Sequence, residues 1–99
     1  MPSIISINGV PIRLTDERWE HITEEHGELA GMQLKVLAII TQPNRILAGG
    51  GGELLAVQEL DPGKSLVAVY RELEDDGFVI TAFLTSKINA LNRRKQIWP

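Results

Sequence analysis

Two hydrophobic periods meet at Pro43. Before it, apolar residues recur at three- and four-residue intervals, the spacing of a helix face; after it they alternate with a period of two, the spacing of strands. Ahead of both, Ile4, Ile5 and Ile7 precede Asn8-Gly9, and Val10 and Ile12 follow. This predicts a short hairpin on a type I′ turn, with Pro11 placing its second arm at an edge. Thr15 predicts a helix N-cap, because Asp16 and Glu17 fall at the positive end of the helix dipole and Leu14 and Trp19 are spaced as a hydrophobic staple. The helix is expected to run to about His26, with Gly27 supplying a left-handed C′ position. A second helix is expected from about Gly31 to Gln42, carrying Met32, Val36, Ile39 and Ile40 on one side and closed by Pro43.

Beyond Pro43, residues 45–48, 53–60, 65–73 and 78–86 read as four strands of an antiparallel meander. Their connections are Gly49 to Gly52, Asp61-Pro62-Gly63-Lys64 and Asp75-Asp76-Gly77. A three-residue loop at Asp75 to Gly77 places Arg71 opposite Thr81. One sheet face then carries Leu66, Ala68, Tyr70, Phe78, Ile80, Ala82 and Leu84, on which the helices can pack. The other carries Val67, Val69, Arg71, Val79, Thr81, Phe83 and Thr85 and is partly open. A two-residue turn would mix apolar and polar positions on both faces, which disfavours it. Residues 86–99 are read as a helical turn and a last short strand through Ile97 and Trp98. The expected fold is therefore a single α+β domain over residues 1–99, with two N-terminal helices on one face of a four-stranded antiparallel sheet.

Composition narrows the function. The chain of 99 residues has no cysteine, which excludes disulfides, thiolate nucleophiles and Cys-based metal centres. Its longest apolar run, Val36 to Ile40, is too short to span a bilayer, and no charged n-region and apolar h-region open the chain. A cytoplasmic protein without a membrane partner is expected. Net charge is −3, but it is unevenly spread. Residues 1–77 hold 13 acids and six Lys/Arg, or −7, whereas residues 78–99 hold Lys87, Arg93, Arg94 and Lys95 and no acid, or +4. An anionic partner would be drawn to that end alone.

His26 stands on the helix side of Trp19 and Ile22. It is either a proton carrier or a histidine that satisfies the last helix carbonyls. His21 lies about 200° around the helix from Trp19, and the two histidines are five apart, one more than a shared zinc-binding face needs. Neither a metal nor a cofactor is expected. Arg71, in mid-strand, offers a guanidinium fork for phosphate, with Thr81 and Thr85 as hydroxyl donors and Lys87 just beyond the strand; the alternative is an ordinary solvated strand face. Arg93, Arg94 and Lys95 form a basic run that either solubilises the terminus or meets an anion, and Trp98 either stacks on a base or anchors the chain end. The four glycines 49–52 are followed by Glu53 and a strand, not by Lys-Ser/Thr and a helix, so they read as a turn and not as a phosphate loop. The acids lie on a helix surface and a turn, and no two suggest a glycosidase pair.

The order of these parts resembles a superfamily of small ribonucleases and toxins. An N-terminal helical pair ending near His26-Gly27-Glu28-Leu29, a Pro43-Asn44 step, and a four-stranded meander whose late strand ends in Thr85 with Lys87 beyond are similar to the group containing barnase, EndoU, the tRNase colicins and RelE, most of all its phage-associated and uncharacterised single-domain branches. The likeness spans about residues 12–98. Gly27 stands where proline is usual in that step, and residues 1–77 are more acidic than in RelE toxins. The resemblance implies metal-independent RNA cleavage by attack of a 2′-hydroxyl on the adjacent phosphate. His26 would then serve as acid or base, Arg71 and Lys87 as charge stabilisers, Thr81 and Thr85 as positioning hydroxyls, and Arg93, Arg94, Lys95 and Trp98 as RNA contacts. It also implies an antitoxin-like partner. The competing expectation is a non-catalytic interaction module in which Val67, Val69, Val79 and Phe83 meet a partner protein or a second copy in a homo-oligomer.

Overall fold

The β-branched residues on either side of Asn8-Gly9 do form a hairpin. In the computed structural model, which describes residues 3–99, β1 (Ser3–Ile5) and β2 (Pro11–Arg13) are antiparallel, with Ile4 opposite Ile12. The turn is longer than the two-residue type I′ form. Ser6 N–H donates to the Val10 carbonyl at 2.8 Å and Gly9 N–H to the Ser6 carbonyl at 2.9 Å, with Gly9 left-handed at φ 81°.

Thr15 caps α1 (Asp16–Glu25) as expected, its Oγ1 accepting the Arg18 amide at 3.1 Å. The helix exit differs. His26 turns off the axis at φ −131°, Gly27 opens a 3-10 turn (Gly27–Leu29), and the left-handed glycine is Gly31. α2 (Gln33–Thr41) follows and buries Val36, Leu37, Ile39 and Ile40.

The strands are β3 (Arg45–Ala48), β4 (Leu54–Asp61), β5 (Lys64–Glu72) and β6 (Gly77–Thr85), followed by α3 (Ile88–Asn92) and β7 (Gln96–Trp98). These correct the expected architecture. Among the described residues the sheet is mixed and seven-stranded, in the order β1-β2-β6-β5-β4-β3-β7, with three α-helices, and is not a four-stranded antiparallel meander under two helices. A short hairpin has little stability by itself. It gains a partner by laying β2 parallel to the start of β6, Ile12 opposite Gly77 and Arg13 opposite Phe78. Pro11 consequently opens an inner strand, where the first position tolerates its missing N–H, and β1 takes the edge.

The register between β5 and β6 is a second correction. Val69, not Arg71, faces Thr81; a bulge at Ile80 then shifts the ladder so that Tyr70 faces Val79, Arg71 faces Phe78 and Glu72 faces Gly77. The connecting loop is residues 73–76, closed by Leu73 N–H to the Asp76 carbonyl at 2.7 Å. Because a bulge adds one residue to one strand, side chains before it change faces. Val79 therefore joins the helix-covered core, and Phe78 moves to the opposite face, where it is exposed.

Two apolar layers result. On one face α1 and α2 pack over Ala56, Leu66, Ala68, Tyr70, Val79 and Ala82, together with Ile12 and Leu14. Trp19 is only half-buried against this layer, whereas Ile22 is fully inside. The second face was expected to be partly open. Instead α3 inserts Leu91 over Leu47, Leu55, Val57 and Val67, with Ile88, Val69 and Phe83 around it. Val67 and Val79 are buried, in different layers, so the four-residue apolar patch expected on an open face does not exist. Among the described residues no helix is long and apolar enough to cross a membrane.

Candidate functional site

The β2–β6 ladder covers only Gly77 and Phe78 of β6. Beyond them no strand among the described residues pairs with that side of β6, and α1 and the 3-10 turn pack against β6. This brings His26 from the helix layer to the edge of the second face. Its ring lies 6.1 Å from that of Phe83, centroid to centroid, tilted by 40°. Its Nδ1 is 3.7 Å from Glu28 Oε2, and the side chain remains about one-third exposed. An early helix exit, not the helix face, thus sets where the imidazole sits.

Phe83 is the centre of the arrangement. Thr81, Phe83 and Thr85 alternate along β6 and so share the second face. On one side of Phe83, a hollow of about 260 Å³ is lined by His26, Thr81, Ile80, Arg18, His21 and Glu25, with Ile22 at its base. On the other, a hollow of about 220 Å³ is lined by Phe83, Thr85, Lys87, Arg94 and the α3 residues Ala90 and Leu91. Thr85 Oγ1 accepts the Lys87 amide at 3.0 Å, which fixes the chain as it leaves β6. Arg94 donates from Nη1 to the Ala48 carbonyl at 3.3 Å. An imidazole, an aromatic face, two hydroxyls and two cations therefore line one strip of surface.

Arg71 stands apart from that strip. It shares the face, but Val67 is the residue opposite Phe83, and Arg71 lies four residues further along β5, about 13 Å at the usual strand rise. Its Nη2 donates to the Gly51 carbonyl at 2.7 Å and lies 3.4 Å from Glu53 Oε2. Glu53 Oε1 accepts the Gly51 amide at 3.1 Å. That N–H above all, with lesser help from the Arg71 charge, holds the Glu53 carboxyl below the usual carboxylate range.

The basic terminus divides as well. Arg94 lines the Lys87 hollow, whereas Arg93 and Lys95 are exposed beside it. Trp98 pairs opposite Ile46 on β7, with β3, β4 and β5 between it and β6. It is half-buried there as part of the edge strand and lies away from the His26 strip. The sequence offered Phe83 only as part of an apolar interaction patch, not beside His26, and gave Glu53 no role. The alternation Thr81, Phe83, Thr85 was signal enough for Phe83; Glu53 had none, since its role depends on how the glycine loop folds. No protein family, curated protein or solved structure matches this chain.

Proposed function

We propose that the chain is a small endoribonuclease-like domain that cleaves single-stranded RNA in the cytoplasm, in the manner of the barnase, EndoU, colicin and RelE group. The observation that carries this reading is the placement of His26 against Phe83, between Thr81 on one side and Thr85, Lys87 and Arg94 on the other. Transesterification by a 2′-hydroxyl needs a group that moves a proton and cations for the charge that develops on the phosphoryl oxygens. His26 takes the 2′-hydroxyl proton as the P–O2′ bond forms and returns it to the departing 5′-oxygen as the P–O5′ bond breaks. Lys87, with Arg94 beside it, stabilises the charge, and Thr81 and Thr85 orient the phosphate through their hydroxyls. Phe83 offers a ring on which a base can stack.

The distance along β5 supports a different part for Arg71. It is too far from His26 to touch the same phosphate, so it holds a phosphate further along the strand of RNA, and Arg93 and Lys95 add attraction at the other end. Trp98 takes no part. In a toxin of this kind, an antitoxin-like protein would neutralise activity by covering the His26–Lys87 strip.

The test is cleavage of single-stranded RNA by the purified chain in EDTA. Cleavage should persist in the chelator, weaken as salt rises, and vanish in folded His26→Ala and Lys87→Ala variants. Arg71→Ala should raise KM with little change in kcat. A folded wild type that neither cleaves RNA nor binds it in a salt-sensitive way would sink the proposal and leave a protein-interaction module as the better account.

A further inference from the structure

The glycines at 49–52 do more than turn the chain. A Cβ on Gly49 would fall 2.2 Å from Glu53 Oε1, and one on Gly51 would lie 3.1 Å from Glu53 Oε2. Gly52 is left-handed at φ +92°, and a Cβ there would lie 3.2 Å from Arg71 Nη1. Only Gly50 has nothing near it and looks onto open space. Three of the four glycines are thus shaped to the carboxylate of Glu53 and the guanidinium of Arg71, which a plain hairpin turn does not require.

Around the carboxylate the loop is a cradle for an anion. Gly51 N–H points at Oε1, Arg71 Nη2 lies 3.4 Å from Oε2, and the Gly51 carbonyl holds the guanidinium by accepting from the same Nη2. Successive backbone N–H groups in a tight glycine-rich turn, combined with an arginine, are a general recognition device for phosphate and carboxylate alike. Both pair members remain accessible, with side-chain exposures of 35% for Arg71 and 24% for Glu53. Glu53 precedes β4 and shares the glycine loop with Gly51, whereas Arg71 stands on β5, so rotation of the Glu53 side chain alone releases both contacts.

We propose that the Gly49–Gly52 loop and Arg71 form a binding site for a phosphate group, filled in the free protein by the chain's own Glu53 carboxylate, which the ligand displaces. The carboxylate resembles the ligand: it is an anion whose two oxygens are shared between the Gly51 N–H, at Oε1, and Arg71 Nη2, 3.4 Å from Oε2, and the two non-bridging oxygens of a phosphodiester can divide between the same donors. Glu53 therefore acts as an internal competitor that lowers the affinity of the site for any phosphate. The site concerns binding alone and is independent of RNA cleavage, since inorganic phosphate carries no 2′-hydroxyl.

The experiment is a titration of the intact, 15N-labelled chain, followed by amide and arginine Nε shifts, with inorganic phosphate in one arm and a dinucleoside monophosphate in the other. Saturable shifts are expected at Gly50, Gly51, Glu53 and Arg71. Glu53→Gln, which keeps the side-chain shape and removes the competing charge, should bind about three- to fivefold tighter, the scale of one surface ion pair. Arg71→Ala should abolish the shifts, and Arg71→Lys should weaken binding by losing the fork. Tighter binding of the dinucleotide identifies an internucleotide phosphate as the ligand; tighter binding of inorganic phosphate identifies a free phosphate or monoester. The proposal is overturned if neither probe gives saturable shifts in the wild type or in Glu53→Gln, if the two proteins bind equally, or if the shifts survive in Arg71→Ala.

Discussion

At the scale of single residues, Tyr70 is the most consequential side chain in the larger apolar layer. It is fully buried, it is the chain's single tyrosine, and its hydroxyl has no hydrogen-bond partner among the described residues. A buried hydroxyl without a partner lowers stability. Tyr70→Phe should therefore raise stability by about 1 kcal/mol, measured as a higher urea midpoint at unchanged slope. Burial first, and the Glu72 charge second, also push the phenol well above its usual range. An acid whose folded value is raised keeps its full stability contribution below the unfolded value, about 10, and loses it as pH climbs from there. Tyrosinate absorbance should hence stay absent in the folded protein through that range and appear together with alkaline unfolding. A gradual rise near pH 10 without unfolding would show that the ring is accessible to water.

Among the elements, the junction of β2 with β6 decides how the N-terminal hairpin joins the domain. Gly77 sits where two backbones meet a side chain: a Cβ there would fall 2.2 Å from the Arg71 carbonyl oxygen and 2.7 Å from Ile12 Cδ1. Backbone cannot yield as a flexible side-chain tip does. Gly77→Ala should destabilise by about 1–3 kcal/mol, in the range of core overpacking, with the loss of amide protection concentrated in β1 and β2. Equal loss of protection throughout β4 and β5 would mean that the hairpin is not a separable unit. The hairpin has a second tether at its turn, where Ser6 Oγ donates to Glu72 Oε2 and Asn8 Nδ2 donates to Glu72 Oε1 at 2.9 Å.

For the whole molecule, the sheet separates two cores that share no side chain among the described residues. Ile22 plugs the α1–α2 layer and Leu91 the α3 layer. Leu91→Ala should cost about 2–5 kcal/mol, as buried leucines do elsewhere, despite its place in a helix of only five residues. Since the two layers lie on opposite sides of the sheet, Ile22→Ala and Leu91→Ala should add to within about 0.5 kcal/mol in the double variant, if that variant folds enough to measure. Strong coupling in chemical denaturation would indicate that α3 is held by the far layer through a shift of the sheet. Loss of α3 packing should also dismantle the Lys87 hollow, because Ala90 and Leu91 form one of its walls.

Local signals in the sequence were sufficient for the elements. Thr15 with Asp16 and Glu17 set the start of α1, Pro43 closed α2, and the period-two runs bounded by Gly49 to Gly52, Pro62-Gly63 and Asp75-Asp76 placed β3 to β6 to within a residue or two. Those features act over one turn of helix or one strand, so the sequence states them directly. The partnership of strands far apart in sequence was beyond them. Whether β2 pairs with β6, whether β7 closes on β3, and which side α3 covers depend on which apolar surfaces remain unburied once the neighbours have packed. The bulge at Ile80 is of the same kind: alternation continues through it in the sequence, and only the competition between Val79 and Ile80 for the core face selects it. The candidate site followed suit. Thr81, Thr85 and Lys87 were legible from alternation and charge, but the approach of His26 to Phe83 and the capture of Arg71 by Glu53 required the helix exit, the free edge of β6 and the folded glycine loop, all of which are tertiary.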